Sequence, residues 1–184
     1  MIMTKKIILI GTVASSFYGF RADLIRAMRE KQYTVYAFTS EYSDADLKKI
    51  ESLGAIPVPY ELNRGGLNPL ADIVATYKLS KKIREIQPDL VFSYFSKPVI
   101  FGTIAAKLAK VPKVIGMLEG LGYTFTEQPE GLSKKTQLIK KIQVLLYKCA
   151  LPQLDQLIFL NPDDPLDLID QHAINVKKVE VLGG

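Results

Sequence analysis

Hydrophobic runs and amphipathic stretches alternate along the whole chain. Short runs rich in β-branched and aromatic residues predict strands, and apolar residues at helical spacing predict helices between them. This alternation predicts an α/β fold, a Rossmann-like parallel sheet of about six to seven strands with helices on both faces. The predicted strands are Lys6–Gly11, Tyr33–Thr39, Ala55–Tyr60, Asp89–Tyr94, Pro112–Leu118, Asp155–Leu160 and Val176–Leu182.

The helical stretches have recognisable ends. Asn68 is a favourable N-cap with Pro69 at the first helical position, and an apolar stripe follows in the same helix. That stripe consists of Leu70, Ile73, Val74 and Tyr77. The predicted helices are about Phe17 to Lys31, Ser43–Leu53, Pro69 to the residue before Pro88, a helix around Phe101–Leu108, about Lys134 to Leu151, and Asp163–Gln171.

Length and composition indicate one compact domain, residues 1–184. Hydrophobic residues make up 48% of the 184 residues and charged residues 23%, an ordinary globular composition. The single cysteine, Cys149, excludes a disulfide framework, and it is predicted to lie in the core. The apolar run Ile7–Ile10 is shorter than a signal-peptide core, and the uncharged run Ile7–Phe20 is too short to span a membrane, which predicts a soluble or peripheral protein. The lone cysteine fits a reducing cytoplasm. Because Gly183–Gly184 follow directly after a predicted strand, we expect a second domain beyond them.

The positive charge is concentrated in one segment. The net charge is +5, and 131–150 contains five lysines and no acid, so the rest of the chain sums to zero. Lys134, Lys141 and Lys148 recur every seven residues beside an apolar face that includes Leu138 and Leu145. This pattern predicts a helix lying on an anionic membrane, or alternatively a core-packed helix with solvated lysines. Nucleic acid is not favoured as a partner, because aromatic interleaving is absent and the remaining chain is neutral.

Candidate site residues follow the strands, because ligands bind at the carboxyl ends of strands in such sheets. The first loop, GTVASS, lacks a G-x-G-x-x-G fingerprint but offers backbone N–H groups and hydroxyls to an anion at Gly11, Thr12 and Ser16. Alternatively, Gly11 permits a tight turn and Ser16 caps a helix. Arg21, predicted in the first helical turn, opposes the helix dipole there, which favours a ligand role. Arg64, in ELNRGGLNPL, is a candidate for phosphate or carboxylate binding, or a solvated arginine.

Two further loops carry the remaining candidates. In SYFSKP, Tyr94 is predicted to stack on a sugar or lipid head and Lys97 to bind phosphate; a buried tyrosine and a surface lysine are the alternative. In LEGLGYTF, Glu119 precedes Gly120 at the end of a buried strand. A carboxylate there is costly unless it has a partner or faces a cleft, so Glu119 is the leading catalytic candidate, with a buried salt bridge as its alternative. The single histidine, His172, is predicted at the surface.

These loops resemble a known family. The segments GTVASSFYGFR, NRGGLNPL, LEGLGYTF and LIFLNPDD are similar to the N-terminal domain of retaining GT-B glycosyltransferases of family four. The resemblance covers essentially the whole chain. Its closest subgroup transfers a sugar, often N-acetylgalactosamine, onto lipid-diphosphate-linked sugars in bacterial surface polysaccharide and glycan biosynthesis.

The resemblance implies an acceptor-side domain facing a donor-binding domain that this chain does not contain. It implies a nucleotide-sugar donor, such as a UDP-sugar, with its diphosphate near Gly11 and Thr12, and a polyprenyl-diphosphate-linked acceptor. It implies that Ser16, Arg21, Arg64, Tyr94, Lys97 and Gly120 bind the acceptor, and that no cofactor or obligatory metal is needed. Many members have a histidine after the fifth strand that contacts the reacting sugar, and here Glu119 stands at that position.

Two other functions stay open. One is a non-catalytic subunit that recruits a separate donor-binding chain to the membrane, which the coding sequence after Gly184 would distinguish from an enzyme. The other is a nucleotide-dependent epimerase or oxidoreductase domain, although the missing G-x-G-x-x-G disfavours the oxidoreductase. No oligomeric state is predicted.

Overall fold

The computed structural model describes residues 4–62, 69–126 and 133–183. Strands and helices alternate as the sequence predicts. The strands are β1 (Lys6–Ile10), β2 (Thr34–Thr39), β3 (Ile56–Pro59), β4 (Leu90–Tyr94), β5 (Lys113–Leu118), β6 (Gln156–Phe159) and β7 (Val179–Val181). The α-helices are α1 (Ser15–Gly19), α2 (Ala22–Glu30), α3 (Asp44–Ser52), α4 (Pro69–Ile86), α5 (Thr103–Leu108), α6 (Lys134–Ala150) and α7 (Asp163–Pro165).

The seven strands form one parallel sheet in the order β3-β2-β1-β4-β5-β6-β7. The predicted Rossmann-like sheet is therefore confirmed. Successive strands are added on one side from β1 to β3 and on the other side from β4 to β7. The sheet consequently has its switch point between β1 and β4, where ligands bind in open α/β sheets.

Two hydrophobic clusters show that helices cover both faces of the sheet. Phe17, Ile25 and Ile50 from α1, α2 and α3 pack on one face, against β1, β2 and β4. On the other face, Leu79 of α4 and Tyr147 of α6 pack with residues of α5 and of the segment after β6. Alternate residues of β1 enter opposite clusters, as the two-residue period of a strand requires.

The structure differs from the predicted boundaries in several places. The helix predicted from Phe17 to Lys31 is two helices, α1 and α2, and Arg21 stands between them rather than in a first helical turn. Short π-helical turns, Pro98–Gly102 and Leu166–Asp170, precede α5 and follow α7. The predicted cap Asn68 lies outside the described residues. Within the ranges that the structure describes, no helix is long and apolar enough to cross a membrane.

Candidate active site

A pocket of about 640 Å³ lies at the switch point of the sheet. Its walls come from the loops after β1, β4 and β5, from the π-helical turn before α5, and from the inner face of α6. The predicted residues Thr12, Lys97, Glu119 and Gly120 are all in its lining. The structure therefore brings together candidates that are more than 100 positions apart in the sequence. The other lining residues are Val13, Phe95, Ser96, Pro98, Ile100, Leu121, Gly122, Tyr123, Thr124, Ile139 and Gln143.

Glu119 meets Arg21 at the edge of this pocket. The Arg21 guanidinium donates a hydrogen bond to Glu119 Oε1, and the Arg21 side chain also lies over the Tyr94 ring, 4.8 Å from its centroid. Burial lowers the pKa of Arg21. Glu119 thus has the partner that a carboxylate at a buried strand end requires, and it still reaches the pocket. The salt bridge expected as the alternative role of Glu119 is present, and it does not remove Glu119 from the cleft.

Lys97 is held by a buried carboxylate that the sequence did not single out. Its ammonium lies 3.3 Å and 3.4 Å from the two carboxylate oxygens of Asp72, in the first turn of α4. The side chains are 16% and 5% exposed, so Lys97 is not a solvated surface lysine. Because Lys97 also lines the pocket, the pair fixes a cation at the pocket wall.

Tyr94 supports the first loop from below and does not face the pocket. It is fully buried, and its hydroxyl lies 2.8 Å from Ser16 Oγ. The ring packs so closely on Gly11 that a Cβ atom there would lie 2.4 Å from the tyrosine oxygen. The prediction that Tyr94 stacks on a sugar or lipid head is therefore wrong. Gly11 is required by this close approach, which the sequence pattern could not show.

The hydrogen bonds of the first loop also limit its part in anion binding. The Gly11 N–H donates to Phe38 O at 3.0 Å, and the Ser16 N–H donates to Val13 O at 3.1 Å. Ser16 is buried with its hydroxyl bonded to Val13 O and Tyr94. The expectation that the N–H groups of Gly11 and Ser16 are open to an anion is therefore wrong, because the fold itself uses both donors. Thr12 stays in the pocket lining.

The family follows from the sequence of this domain. The model of the glycosyl transferase 4-like family matches residues 6–161. The chain belongs to the glycosyl transferase 4-like family. The match spans β1 to the loop after β6, so every wall of the pocket lies inside it.

Curated relatives of this glycosyl transferase 4-like chain act on lipid-linked sugars by their names. The N,N'-diacetylbacillosaminyl-diphospho-undecaprenol alpha-1,3-N-acetylgalactosaminyltransferase of Campylobacter jejuni subsp. jejuni serotype O:2 is 30% identical over 147 residues, 80% of this chain and 38% of that protein. The UDP-Gal:alpha-D-GlcNAc-diphosphoundecaprenol alpha-1,3-galactosyltransferase of Escherichia coli is 28% identical over 117 residues, 63% of this chain and 27% of that protein. The chain therefore spans well under half the length of these relatives.

A solved structure agrees on the fold. The crystal structure of a glycosyltransferase from Rickettsia africae ESF-5 superposes with a TM-score of 0.66 at 13% identity, covering 98% of this chain and 43% of that one. At this identity the likeness concerns the fold alone. The two chains share the Rossmann-like fold that the sequence predicts.

The inner face of α6 adds residues that the sequence analysis missed. Gln143 and Ile139 line the pocket, and Thr124 Oγ1 donates a hydrogen bond to Gln143 Oε1 at 2.8 Å. Burial raises the pKa of the neighbouring Tyr147. The seven-residue lysine repeat marks only the exposed side of this helix. No sequence pattern distinguishes Gln143, on the side that faces the pocket, from an ordinary polar residue.

The outer face of α6 is the apolar face on which the membrane prediction depends. Leu138 and Leu145 are 58% and 61% exposed, and Lys134, Lys141 and Lys148 are exposed beside them. The core packs instead on Val144, Tyr147 and Ala150. The leucine face of α6 is therefore not packed against the described part of the domain, and its contact with a membrane stays a prediction.

Several other predictions have definite outcomes. Cys149 is exposed, so the prediction that it lies in the core is wrong: its side chain points away from the buried face of α6. His172 is half-buried with its ring at the edge of Phe125, rather than on the open surface. Arg64 lies outside the described residues. Among the residues that are described, no three His, Cys, Asp or Glu side chains cluster as a metal site would require, and the absence of an obligatory metal stays a prediction.

Proposed function

We propose that this domain is the acceptor-binding half of a glycosyltransferase. The complete enzyme moves a sugar from a nucleotide-sugar to a polyprenyl-diphosphate-linked sugar during surface polysaccharide or glycan assembly. The observation that carries the proposal is the switch-point pocket with Glu119 and Lys97 in its walls, in a family member whose curated relatives are named for diphospho-undecaprenol acceptors.

The pocket walls supply a role for each charged residue. Lys97 binds the acceptor diphosphate, because its ammonium is already held at the pocket wall by Asp72. Glu119 contacts the reacting sugar or orients the acceptor hydroxyl, and Arg21 positions Glu119 through their hydrogen bond. Gly120, at φ +154°, leaves open space beside Glu119, since no atom lies within 4 Å of the position of a Cβ. Arg64 is a further candidate ligand for the acceptor.

The binding site for the donor lies in a second domain, which is not part of these 184 residues. A UDP-sugar binds the second domain with its diphosphate approaching Thr12, and the sugar reaches Glu119 across the cleft. The transfer retains the anomeric configuration and needs no obligatory metal. The enzyme works at the cytoplasmic face of the membrane, to which the outer face of α6 attaches it, because the acceptor tail stays in the bilayer.

A transfer assay with the full-length protein tests this function. UDP-N-acetylgalactosamine, UDP-galactose and UDP-N-acetylglucosamine are each incubated with a short-chain polyprenyl-diphosphate N-acetylhexosamine in detergent. We expect a lipid product heavier by one sugar, joined by an α-linkage in the NMR spectrum. The 184-residue chain alone gives no product, because donor positioning supplies much of the rate enhancement.

The same assay separates the rival functions. An epimerase would convert UDP-N-acetylglucosamine into its epimer without any lipid acceptor, and that result would overturn the proposal. A membrane-recruiting subunit would give lipid product only after a second polypeptide is added. The lipid-diphosphate acceptors in the names of the relatives favour neither rival.

A further inference from the structure

Helix α4 carries an exposed apolar stripe that the fold does not use. Leu70, Ile73, Val74 and Tyr77 recur at positions i, i+3, i+4 and i+7 and are 78%, 64%, 54% and 56% exposed. A stripe with this spacing normally faces the core. Here α4 packs on the sheet with the opposite face, through Leu79 and Ile83. The apolar stripe therefore faces away from the sheet.

The stripe and the outer face of α6 belong to one side of the molecule. Both helices lie on the same face of the sheet and contact the π-helical turn Pro98–Gly102, which lies between them with α5. Leu138 and Leu145 project outward from α6 as the stripe projects outward from α4. Both exposed apolar faces are therefore carried by helices that cover the same face of the sheet.

The charge of these two helices indicates which kind of partner their exposed faces bind. Together α4 and α6 contain nine basic and two acidic residues, a net charge of +7, so the rest of the chain sums to −2 against the overall +5. Such a surface repels a second copy of itself and attracts an anionic one. The combination of exposed leucines, isoleucine and tyrosine with lysines is typical of elements that lie in the interface of an anionic bilayer.

The order of residues along α4 sets the orientation. The apolar stripe occupies the N-terminal half, and charged residues, Lys78, Lys81, Lys82, Arg84 and Glu85, occupy the C-terminal half. Helices of a parallel sheet begin at the carboxyl edge, which is where the pocket opens. The apolar end of α4 therefore lies next to the pocket. Lys81, over the Tyr77 ring at 4.7 Å, marks the change from apolar to basic.

We propose that the α4 stripe is a second membrane-contact element, which inserts apolar side chains into an anionic bilayer while the α6 lysines bind its headgroups. This inference rests on the proposed function and makes it more specific. The two contacts tilt the carboxyl edge of the sheet toward the bilayer. The diphosphate of a lipid-linked acceptor then reaches Lys97 without withdrawing its tail from the hydrocarbon.

Vesicle co-sedimentation of the full-length protein tests the inference. The stripe variant is Leu70→Gln, Ile73→Gln and Val74→Gln, since glutamine preserves helix propensity. Vesicles contain equal parts of phosphatidylglycerol and phosphatidylcholine, at about 0.1 M and about 1 M salt, where the Debye length is about 10 Å and about 3 Å. We expect the parent to keep part of its binding at high salt and the variant to lose that part, by about tenfold in partition coefficient.

A matched control variant changes three exposed apolar residues that lie outside α4 and α6, and we expect it to sediment like the parent. Its substitutions are Leu24→Gln, Tyr42→Gln and Ile56→Gln. A stripe variant that sediments like the parent at both salt concentrations overturns the inference. A parent that is dimeric and a stripe variant that is monomeric overturn it too, because a second copy would then cover the stripe. Circular dichroism confirms that each variant is folded.

Activity distinguishes this inference from the proposed function. The stripe variant should turn over a short-chain acceptor in solution at the parent rate and a vesicle-embedded acceptor at least about tenfold more slowly. If the stripe variant matches the parent rate on both acceptors, the membrane role of the stripe is contradicted and the proposed function is not. A parent that transfers no sugar to either acceptor contradicts the proposed function, and the sedimentation result still decides the membrane contact.

Discussion

Lys97 and Asp72 form a buried ion pair in the pocket wall, with the ammonium 3.3 Å and 3.4 Å from the two carboxylate oxygens. The pair joins the loop after β4 to the first turn of α4. It gives a cation a fixed position beside the switch point, where a phosphate group of the acceptor is proposed to bind. The same pair also contributes to stability, so a single substitution of Lys97 cannot separate the two roles.

A double substitution separates them. Lys97→Met should lower the free energy of unfolding by about 3 kcal/mol, because it leaves the Asp72 carboxylate buried without its partner. Adding Asp72→Asn removes that charge and should restore most of the stability. We expect the KM for the lipid-linked acceptor to stay raised in both variants, since neither has the cation. Chemical denaturation and acceptor titrations measure the two effects, and recovery of KM in the double variant would show that the pair is only structural.

The strands were predictable because their signal is local. A strand buried on both sides needs a continuous run of apolar, often β-branched residues, and KIILI in β1 and LVFSY in β4 have one. The parallel order then follows from the helices between the strands. The candidate residues at the strand ends share the pocket for the same reason, since all carboxyl ends of a parallel sheet lie on one edge.

The directions of helix faces were not predictable in the same way. Periodicity shows that Leu70, Ile73, Val74 and Tyr77 share a face, but it does not show which face meets the sheet. In α4 the buried side combines Leu79 and Ile83 with small polar residues, so the apolar positions of this helix are divided between two faces. The burial of Tyr94 was equally hidden, because it depends on the missing Cβ of Gly11, which lies 83 positions away in the sequence.

Glu119 should matter more for turnover than for folding. Glu119→Gln keeps the shape of the side chain and one acceptor oxygen for Arg21, so we expect the free energy of unfolding to fall by no more than about 1 kcal/mol. Turnover in the full-length enzyme should fall by about a hundredfold or more, in the range typical of a lost acid–base or orienting group. Steady-state transfer rates and thermal denaturation measure the two quantities.

Arg21→Gln is the matched control for this variant. It removes the same ion pair but leaves the carboxylate in the pocket, so its turnover should fall less than that of Glu119→Gln. If both variants lose activity in proportion to their loss of folded protein, the contact between Arg21 and Glu119 is a structural salt bridge and Glu119 is not catalytic.

Asp155 should stabilise the fold in a pH-dependent way, at the edge of the sheet opposite the pocket. Burial acts to raise its pKa, but hydrogen bonds from Lys177 Nζ and the Val114 N–H outweigh burial and lower the pKa from 3.8 to about 2. A carboxyl group with a lowered folded-state pKa stabilises the protein above its unfolded pKa, and the stabilisation is lost as the pH falls through the folded one. The pH window is therefore from about 4 to about 2, and the amount is about 2 kcal/mol.

Asp155→Asn should consequently reduce the free energy of unfolding by about 2 kcal/mol at neutral pH, with acceptor turnover unchanged. The difference from the parent should shrink toward zero as the pH approaches 2, because the parent loses the same contribution there. Urea denaturation across this pH range measures it. Asp23→Asn, which changes an exposed carboxylate, is the control, and a difference that does not vary with pH would contradict the assignment.

The lysine row on α6 should attract the domain to anionic membranes in a salt-dependent way. Lys134, Lys141 and Lys148 are exposed and flank Leu138 and Leu145, so replacing the three lysines with glutamine should leave the fold intact. Each lysine near an anionic surface contributes about 1 kcal/mol, so the row contributes roughly 3 kcal/mol before screening. We expect the triple variant to bind phosphatidylglycerol vesicles at least about tenfold more weakly at low salt and to differ little from the parent at high salt.

Cys149 provides a second, local measurement, because it is the only cysteine of this chain and lies exposed on the outer face of α6. An environment-sensitive fluorophore on its thiol should shift to the blue when the parent meets anionic vesicles at low salt, since the label then leaves water for the bilayer interface. The triple variant should show a much smaller shift. The control is a variant with Lys5, Lys31 and Lys48 replaced by glutamine, which loses the same charge at exposed positions outside α4 and α6. If that control weakens binding as much as the lysine row does, the attraction comes from net charge alone, and α6 does not form the contact.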